Sequence, residues 1–313
     1  MNCLFTSKKI IYQGDYMNSI VFFGAGASFG SNATLPFCPP LGNQLFDELE
    51  KIGGAAKDIP DDLKNIFREN FETGMREYYK RRGGDAMSFQ REMAGYFAKF
   101  TPLRKNNYLK LIKELIDCDV IYSSLNYDLL FELSAKKILY NVSYSNKKTP
   151  HDLNLLKIHG SCNFWPSMNG VSLKGCTFAD GRSGAILSPI TVKSQSETIH
   201  LSRTEDSIAP SMALYAEGKR VSVSPYFVQN QYKMWCESVN LASNIFIIGV
   251  RVHLADKHIW DVIGSSTADI HYFGFKPDRE MFDVWASSYS RNNLFFHENN
   301  FSEAVHIIPQ IIK

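Results

Sequence analysis

Short apolar runs alternate with longer amphipathic segments along most of this chain. Six runs have the length and the apolar content typical of buried strands: SIVFF at 19–23, DVIYSS at 119–124, LLKI at 155–158, NIFII at 244–248, DIHYF at 269–273 and NLFFHEN at 293–299. Between them, apolar residues recur three and four positions apart, as in LGNQLFDELEKI at 41–52, which predicts helices. Strands that alternate with helices in this way predict an α/β fold with a Rossmann-like, doubly wound, mainly parallel sheet.

Two stretches interrupt this alternation. Residues from about 53 to 104 are rich in charged residues, glycine and aromatic residues, which predicts a helical insertion of two or three amphipathic helices. Residues from about 163 to 228 have only a weak pattern, and we expect an irregular excursion there. The first 16 residues precede the first strand and are interpreted as an N-terminal arm, so that one domain extends over 17–313.

The first predicted strand leads directly into a turn of very small residues, within IVFFGAGASFGS at 20–31. Glycine lacks a Cβ atom and permits positive φ, so backbone N–H groups can converge on an anion at the start of a helix. Gly24, Gly26 and Ser28 therefore indicate a candidate cradle for phosphate. The alternative is a tight strand–helix turn that packs closely and binds no ligand, because the stretch is not a complete G-x-G-x-x-G motif.

Three further strand ends carry polar or small residues that a core strand does not need. Asn126 and Asp128 follow one strand, His159 follows another, and Gly249 and Arg251 end a third. In a doubly wound sheet, ligands bind at the carboxyl ends of the strands, where the strand order reverses. A histidine in such a cleft can act as a general base near neutral pH, and an asparagine there can hold a hydroxyl group or a water molecule.

Each of these residues also has a purely structural interpretation. Asn126 and Asp128 are common in Asx-turns and as N-caps of a following helix, which here is LLFELSAKK at 129–137. A single histidine such as His159 is more often a satisfied structural residue than a base. The functional interpretation is favoured by the four segments together, because the ends of parallel strands meet at one edge of a sheet.

The composition is that of a soluble globular protein. The chain has 313 residues, of which 44% are hydrophobic and 21% charged, and its net charge of +2 predicts no binding to nucleic acid or to a membrane surface. No apolar stretch is long enough to span a membrane, and the N-terminus lacks the apolar centre of a secretory signal, so a cytoplasmic location is expected. The 22 Phe and 15 Tyr residues indicate either a thick core or a large self-association surface.

Motifs for several other chemistries are missing. The six cysteines include no C-x-x-C pair and the histidines show no H-E-x-x-H spacing, so no metal site is expected. Neither the G-x-S-x-G elbow of serine hydrolases nor a Walker A loop occurs. The region about 20 residues after the glycines reads as a loop and a helix, without the acidic strand end that an NAD-dependent dehydrogenase needs.

The order of the polar segments resembles that of the sirtuin (SIR2) superfamily, whose members bind and cleave NAD. GAGAS at 24–28, SLNYD at 124–128, KIHGS at 157–161 and an apolar strand ending in Gly249 follow one another as the short motifs of that family do. The resemblance extends over roughly residues 18 to 280. It implies a Rossmann-like fold with NAD as the substrate.

The resemblance also implies roles for individual residues. Asn126 is expected to position the nicotinamide ribose or an attacking water, Asp128 to hold the carboxamide, and His159 to act as the base. The residues expected to bind the rest of NAD, chiefly its phosphates, are Gly24, Ala25, Gly26, Ser28, Gly249 and Arg251.

The chain departs from the sirtuin deacylases at three places. Those enzymes carry two C-x-x-C pairs for zinc after the catalytic histidine, whereas here only Cys162 and Cys176 lie in that region. The cofactor loop that carries an arginine in those enzymes reads ATLPFCPPLG at 33–42, and the later Gly-Thr-Ser reads GVR at 249–251. These departures resemble the bacterial SIR2-like proteins of antiphage defence, which lack the zinc module and hydrolyse NAD.

By this resemblance the chain is expected to be an NAD+ glycohydrolase that releases nicotinamide and ADP-ribose, as a toxic effector of antiphage defence kept off until triggered. A homo-oligomer is expected, with a separate activating protein such as an ATPase or a phage-sensing protein as a further partner. Two alternatives stay open: an NAD-dependent protein deacylase, and a non-catalytic module that senses NAD or ADP-ribose.

Overall fold

The computed structural model describes residues 19–147, 149–168, 170–171, 186–213, 221 and 223–313. The predicted N-terminal arm lies outside these residues. The strands are β1 (Ser19–Phe23), β2 (Thr34–Leu35), β3 (Thr101–Pro102), β4 (Val120–Ser124), β5 (Asn141–Ser143), β6 (Asp152–Lys157), β7 (Phe164–Pro166), β8 (Ile190–Val192), β9 (Asn244–Ile248), β10 (Asp269–Gly274) and β11 (Leu294–Glu298). The helices are α1 (Ala25–Phe29), α2 (Gly42–Ile52), α3 (Asp61–Glu69), α4 (Phe71–Arg81), α5 (Met87–Ala98), α6 (Asn107–Glu114), α7 (Leu130–Lys136), α8 (Gln195–Thr204), α9 (Pro225–Leu241), α10 (Lys257–Ser265), α11 (Lys276–Ala286) and α12 (Phe301–Ile312).

Seven of these strands form one sheet in the order β11-β10-β9-β1-β4-β6-β5, and each neighbouring pair is parallel. The prediction of an α/β fold with a doubly wound, parallel sheet is therefore confirmed. β1 lies in the centre, the chain builds one half through β4, β5 and β6, and it then crosses to the other side of β1 to add β9, β10 and β11. The order thus reverses at the pair formed by β1 and β9.

Helices cover both faces of the sheet, as the alternation of side chains along β1 illustrates. Val21 and Phe23 join one buried cluster with residues of α2 to α7 and α12, whereas Ile20 and Phe22 join a second cluster with residues of α9, α10 and α11. All four side chains are fully buried. A strand covered on both faces reads as a continuous apolar run, which is why SIVFF shows no polar position facing solvent.

The predicted helical insertion consists of α3, α4 and α5, which follow α2 between β1 and β4. Its aromatic residues stack within the core: the ring of Phe67 is 4.6 Å from that of Phe46 in α2 and 5.5 Å from that of Phe89 in α5. These side chains belong to the same buried cluster as Val21 and Phe23 of the sheet. Of the two interpretations of the aromatic content, the described structure thus favours a thick core.

The elements that were missed in the sequence include the edge strand β5 and the helix α8. The helix predicted at 129–137 is found as α7, which ends at Lys136, and Leu139 has a positive φ of 65° before the edge strand β5 begins. The weakly patterned excursion contains α8, which begins with a capping box at Ser194 and packs beside α5. Its short, largely polar sequence gives little periodicity, because half of its side chains are exposed and only Thr198 is buried.

Within the described part of the chain, no helix is both long and apolar enough to cross a membrane. The cysteines described there, Cys38, Cys118, Cys162 and Cys236, are free thiols. Burial raises the pKa of the Cys162 thiol well above its usual value, so this side chain stays protonated.

Candidate functional site

The four polar segments singled out in the sequence follow four neighbouring strands, β9, β1, β4 and β6. Gly249 follows β9, the turn from Gly24 follows β1, Asn126 follows β4 and His159 follows β6. Because these strands are parallel, their carboxyl ends lie at one edge of the sheet. This edge includes the point where the strand order reverses, which is where sheets of this kind bind ligands.

The small residues after β1 pack backbone to backbone against the end of β9. The N–H of Gly24 donates to the carbonyl of Ile248 at 3.0 Å, and the N–H of Gly26 donates to that of Gly249 at 2.9 Å. A Cβ atom on Gly26 would lie 2.8 Å from the Cα of Gly249, which itself has a φ of +65°. Close packing therefore accounts for these glycines, and the predicted phosphate contact of the turn stays a prediction.

The Ser28 hydroxyl is the centre of a buried hydrogen-bond network. It donates to Asp128 Oδ2 at 2.7 Å, accepts from Asn126 Nδ2 at 2.9 Å, and lies 2.9 Å from the Tyr108 hydroxyl. A hydroxyl has one hydrogen and two lone pairs, so Tyr108 is the donor of the third bond and the capacity of Ser28 is fully used. Ser28 thus links the ends of β1 and β4, and its predicted phosphate contact stays a prediction.

Asp128 is buried, and both of its carboxylate oxygens accept hydrogen bonds from the protein. Oδ2 accepts from Ser28, and Oδ1 accepts from the N–H of Leu130 at 3.0 Å, where α7 begins. The Asx-turn interpretation is therefore found in the structure. Burial, with a smaller contribution from the charge of Asp128, raises the pKa of Tyr108 well above its usual value, so Tyr108 stays a neutral donor.

Asn126 is partly exposed at the edge of the sheet. Its Nδ2 donates to the carbonyl of Gly24 at 2.8 Å and to Ser28 Oγ at 2.9 Å. Since these two bonds use both amide hydrogens, the remaining capacity of the side chain is that of its acceptor oxygen, Oδ1. Such an acceptor, held in place from two sides, can orient a hydroxyl group or a water molecule.

The segment that carries His159 is fixed by its backbone. The carbonyl of His159 accepts from the N–H of Ala213 at 2.8 Å, and the N–H of Ser161 donates to the carbonyl of Ser211 at 3.0 Å. Gly160 has a φ of +80°, and a Cβ atom there would overlap the Ser211 carbonyl oxygen. The glycine after the histidine is therefore required by the strand-end turn, which sets the direction of the His159 ring.

A second histidine, which the sequence reasoning did not assign to the site, lies beside the first. Nε2 of His258, in the first turn of α10, is 3.5 Å from Nε2 of His159, and the Tyr232 hydroxyl donates to the His258 carbonyl at 2.8 Å. A hydrogen bond between two imidazoles needs one donor nitrogen and one acceptor nitrogen. In the sequence, only its position could have pointed to His258, because the helix that follows β9 begins at this edge of the sheet.

Ala25 and Arg251 are the exposed members of the predicted set. The Arg251 side chain is 79% exposed, and its Nε lies 3.5 Å from Oδ1 of Asp278 in the first turn of α11. An exposed ion pair of this length restrains the guanidinium only weakly. The predicted phosphate contact of Arg251 stays a prediction.

Among the residues that the structure describes, no three His, Cys, Asp or Glu side chains are grouped so that they could hold a metal ion.

No protein-family model matches this chain, and no curated protein does. Similar solved structures include a Sir2 homologue in complex with NAD, at 14% identity and a TM-score of 0.44, over 94% of this chain and 89% of that one. They also include Sir2 with a p53 peptide and NAD+, at 12% identity and a TM-score of 0.45, over 94% of this chain and 92% of that one.

Proposed function

We propose that this protein is an NAD+ glycohydrolase, which releases nicotinamide and ADP-ribose. The observation that carries the proposal is the placement of Asn126 and His159 after the neighbouring strands β4 and β6, at the edge that contains the reversal of strand order. The order of the motifs that supply these residues resembles that of the sirtuins, which bind and cleave NAD. Both lines of support point to the same edge of the sheet.

In the proposed reaction, the bond between nicotinamide and C1′ of the ribose breaks first. Nicotinamide leaves readily because the pyridinium becomes neutral, and the ribose passes through an oxocarbenium-like state. Water then adds to C1′ while His159 takes its proton as general base and Asn126 Oδ1 accepts a hydrogen bond from the same water. NAD+ and water thus give nicotinamide, ADP-ribose and one proton.

A reaction with so good a leaving group depends mainly on positioning. Asn126 is held through its amide hydrogens by Gly24 and Ser28, and Ser28 is held in turn by Asp128. These bonds exist before any substrate is bound, so the acceptor oxygen needs little reorganisation to meet the water. The network therefore serves the proposed reaction even where its members do not touch NAD.

The test is to incubate the purified protein with NAD+ and to separate the products by chromatography. We expect nicotinamide and ADP-ribose from the wild type, and a loss of at least about 100-fold in His159→Ala and in Asn126→Ala, the size expected for a base and a positioning group. His306→Ala, at an exposed histidine of α12, is the matched control and should retain wild-type activity. Wild-type cleavage by folded His159→Ala protein would contradict the assignment.

The same assay separates the alternatives. Nicotinamide release that requires an acetylated peptide, with transfer of the acetyl group, would support the deacylase. Binding of NAD+ or ADP-ribose without any turnover, alone or with added partners, would support a sensor module.

The wider part of the proposal concerns control. Unrestrained hydrolysis would deplete the NAD of the cell in which it occurs, so such an enzyme needs an inactive state. Following the resemblance to bacterial SIR2-like defence proteins, we propose a cytoplasmic antiphage effector that acts as a homo-oligomer and is triggered through a separate protein, such as an ATPase or a phage sensor. Activity that appears only when such a partner is added would support this part.

A further inference from the structure

A lysine is buried at the last position of β6, directly behind the candidate site. Lys157 is only 1% exposed, and lysine is almost never buried to this degree unless its ammonium group is paired. It stands two residues before His159 on the same strand end. In the sequence it is the one charged residue within the apolar run LLKI.

The ammonium group of Lys157 binds the turn that follows the neighbouring strand. Its Nζ donates to the backbone carbonyl of Asp128 at 2.8 Å, and the preceding carbonyl, of Tyr127, accepts from the N–H of Cys162 at 3.1 Å. Two consecutive peptides of the turn are thus held from the side of β6. Of these two bonds, the one made by Lys157 comes from a side chain and can be removed by substitution.

The counter-ion of Lys157 is Glu132, in the first turn of α7. Nζ lies 3.5 Å from Glu132 Oε1, which also accepts from the Tyr144 hydroxyl at 3.2 Å. Burial raises the pKa of Glu132, and the charge of Lys157 opposes this shift. Well-packed apolar residues often stabilise a core as much as a buried ion pair does, because the pair must be desolvated. Stability alone therefore does not require a lysine at this position.

We propose that Lys157 is a positioning residue that sets the turn of residues 126–128 relative to His159. The turn is tied to β1 through the bonds of Asn126 to Gly24 and Ser28, and it is tied to β6 through Lys157. Lys157 thus connects β6, the strand that precedes His159, to the turn that carries Asn126. This inference rests on the proposed NAD cleavage, in which these two residues act on one water molecule.

The first test compares the kinetics of two variants. Lys157→Met combined with Glu132→Gln removes both charges of the ion pair and the bond to the Asp128 carbonyl, and does not leave the Glu132 carboxylate buried without its counter-ion. Tyr144→Phe is the matched control, because it removes the hydrogen bonds of the Tyr144 hydroxyl with Glu132 and Asn163 but none to the turn. For the double variant we expect kcat for NAD+ to fall about tenfold with KM within about threefold, since misplacement affects the reacting geometry more than substrate binding.

Tyr144→Phe should keep kcat and KM within about twofold of the wild type, since its lost bond does not reach the turn. A thermal unfolding curve of each variant checks that it is folded. Lys157→Met alone is not suited to the test, because it leaves Glu132 buried and unpaired, which is strongly destabilising. If the wild type cleaves NAD+ and the folded double variant matches its kcat, the positioning role is wrong and the proposed function stands.

The second test does not depend on turnover. The side-chain amide signals of Asn126 in a ¹H–¹⁵N spectrum can be assigned by their loss in Asn126→Ala. We expect them to shift in the double variant and to stay in place in Tyr144→Phe. Unmoved signals in the double variant would overturn the positioning role whether or not NAD+ is cleaved. If the wild type does not cleave NAD+ but the signals shift in the double variant, only the proposed function is contradicted.

Discussion

Two close pairs of histidines occur among the described residues, and they differ in where they stand along the strands. His159 and His258 meet beyond the strand ends, with their Nε2 atoms 3.5 Å apart. His271 and His297 lie within the adjacent strands β10 and β11, where Nδ1 of the first is 3.0 Å from Nε2 of the second. His159 is 8% exposed and His271 is 7% exposed, so the depth of burial does not distinguish the two pairs.

The surroundings do distinguish them. The ring of His271 is stacked between Phe246 and Phe295, each with a centroid distance of 5.0 Å, and its Nε2 is buried without a hydrogen-bond partner. Burial, and then the neighbouring His297, lower the pKa of His271 from 6.5 to about 4. This ring is therefore neutral at pH 7 and is part of the core, whereas His159 stands at a strand end, between backbone polar groups and a second imidazole.

The position of a buried histidine along its strand thus tells whether it belongs to the core or to the edge where ligands bind. Side chains inside a parallel strand face the helices that cover the sheet, so a histidine there has aromatic or aliphatic neighbours. Side chains just past the carboxyl end face the edge where ligands bind.

The same substitution in each pair should have very different consequences for NAD+ cleavage. We expect His159→Gln to reduce kcat/KM by at least about 100-fold, because the general base is lost, and His271→Gln to reduce it by less than about threefold. Initial rates of nicotinamide release, normalised to the folded fraction by circular dichroism, measure both. Equal losses in the two variants would show that the strand-end position has no special role.

Protonation of the second pair, His271 and His297, should instead lower the free energy of unfolding in acid. The folded-state pKa of His271 lies below its ordinary value, so its contribution is fully present above about pH 6.5 and is lost as the pH falls through about 4. His297 has a pKa lowered by burial as well and acts in the same direction. We expect about 2 to 3 kcal/mol less unfolding free energy at pH 4 than at pH 7 from His271.

Urea unfolding of the wild type and of His271→Leu at both pH values measures this contribution. The variant should lose less stability than the wild type between pH 7 and pH 4, because it has no ring to protonate at this position. Parallel curves for the two proteins would contradict the assignment of acid sensitivity to His271.

Removal of the His258 ring, the second imidazole at the site, should have the smallest effect, and this effect is on kcat. We expect His258→Leu to lower kcat about five- to tenfold, the equivalent of about one lost hydrogen bond, by freeing the ring of His159. His258→Gln, whose amide can still reach the His159 ring, should retain more of the activity. Identical kcat values for the wild type and both variants would mean that the ring of His159 is held without its neighbour.

Much of the site was predictable because it is local in sequence. The small turn after β1, the polar residues of SLNYD and the HGS segment each follow an apolar strand, and the structure places all of them at one edge of the sheet. His258 and Lys157 were not predicted as parts of the site. His258 has no motif around it. Lys157 is a single charged residue within an apolar strand, and its role cannot be inferred until its hydrogen-bond partners are known.

The class of fold and the six longer strands of the sheet could be predicted from the sequence, because apolar periodicity and strand-end polarity depend only on neighbouring residues. The tertiary structure alone decided what the polar groups do. It showed that Gly24 and Gly26 meet the end of β9, and that the hydroxyl of Ser28 is used up within the protein. It also placed Lys157 against the carbonyl of Asp128. These partners are 29 to 224 positions apart in the chain, and only the packing of parallel strands side by side brings their atoms within hydrogen-bond distance.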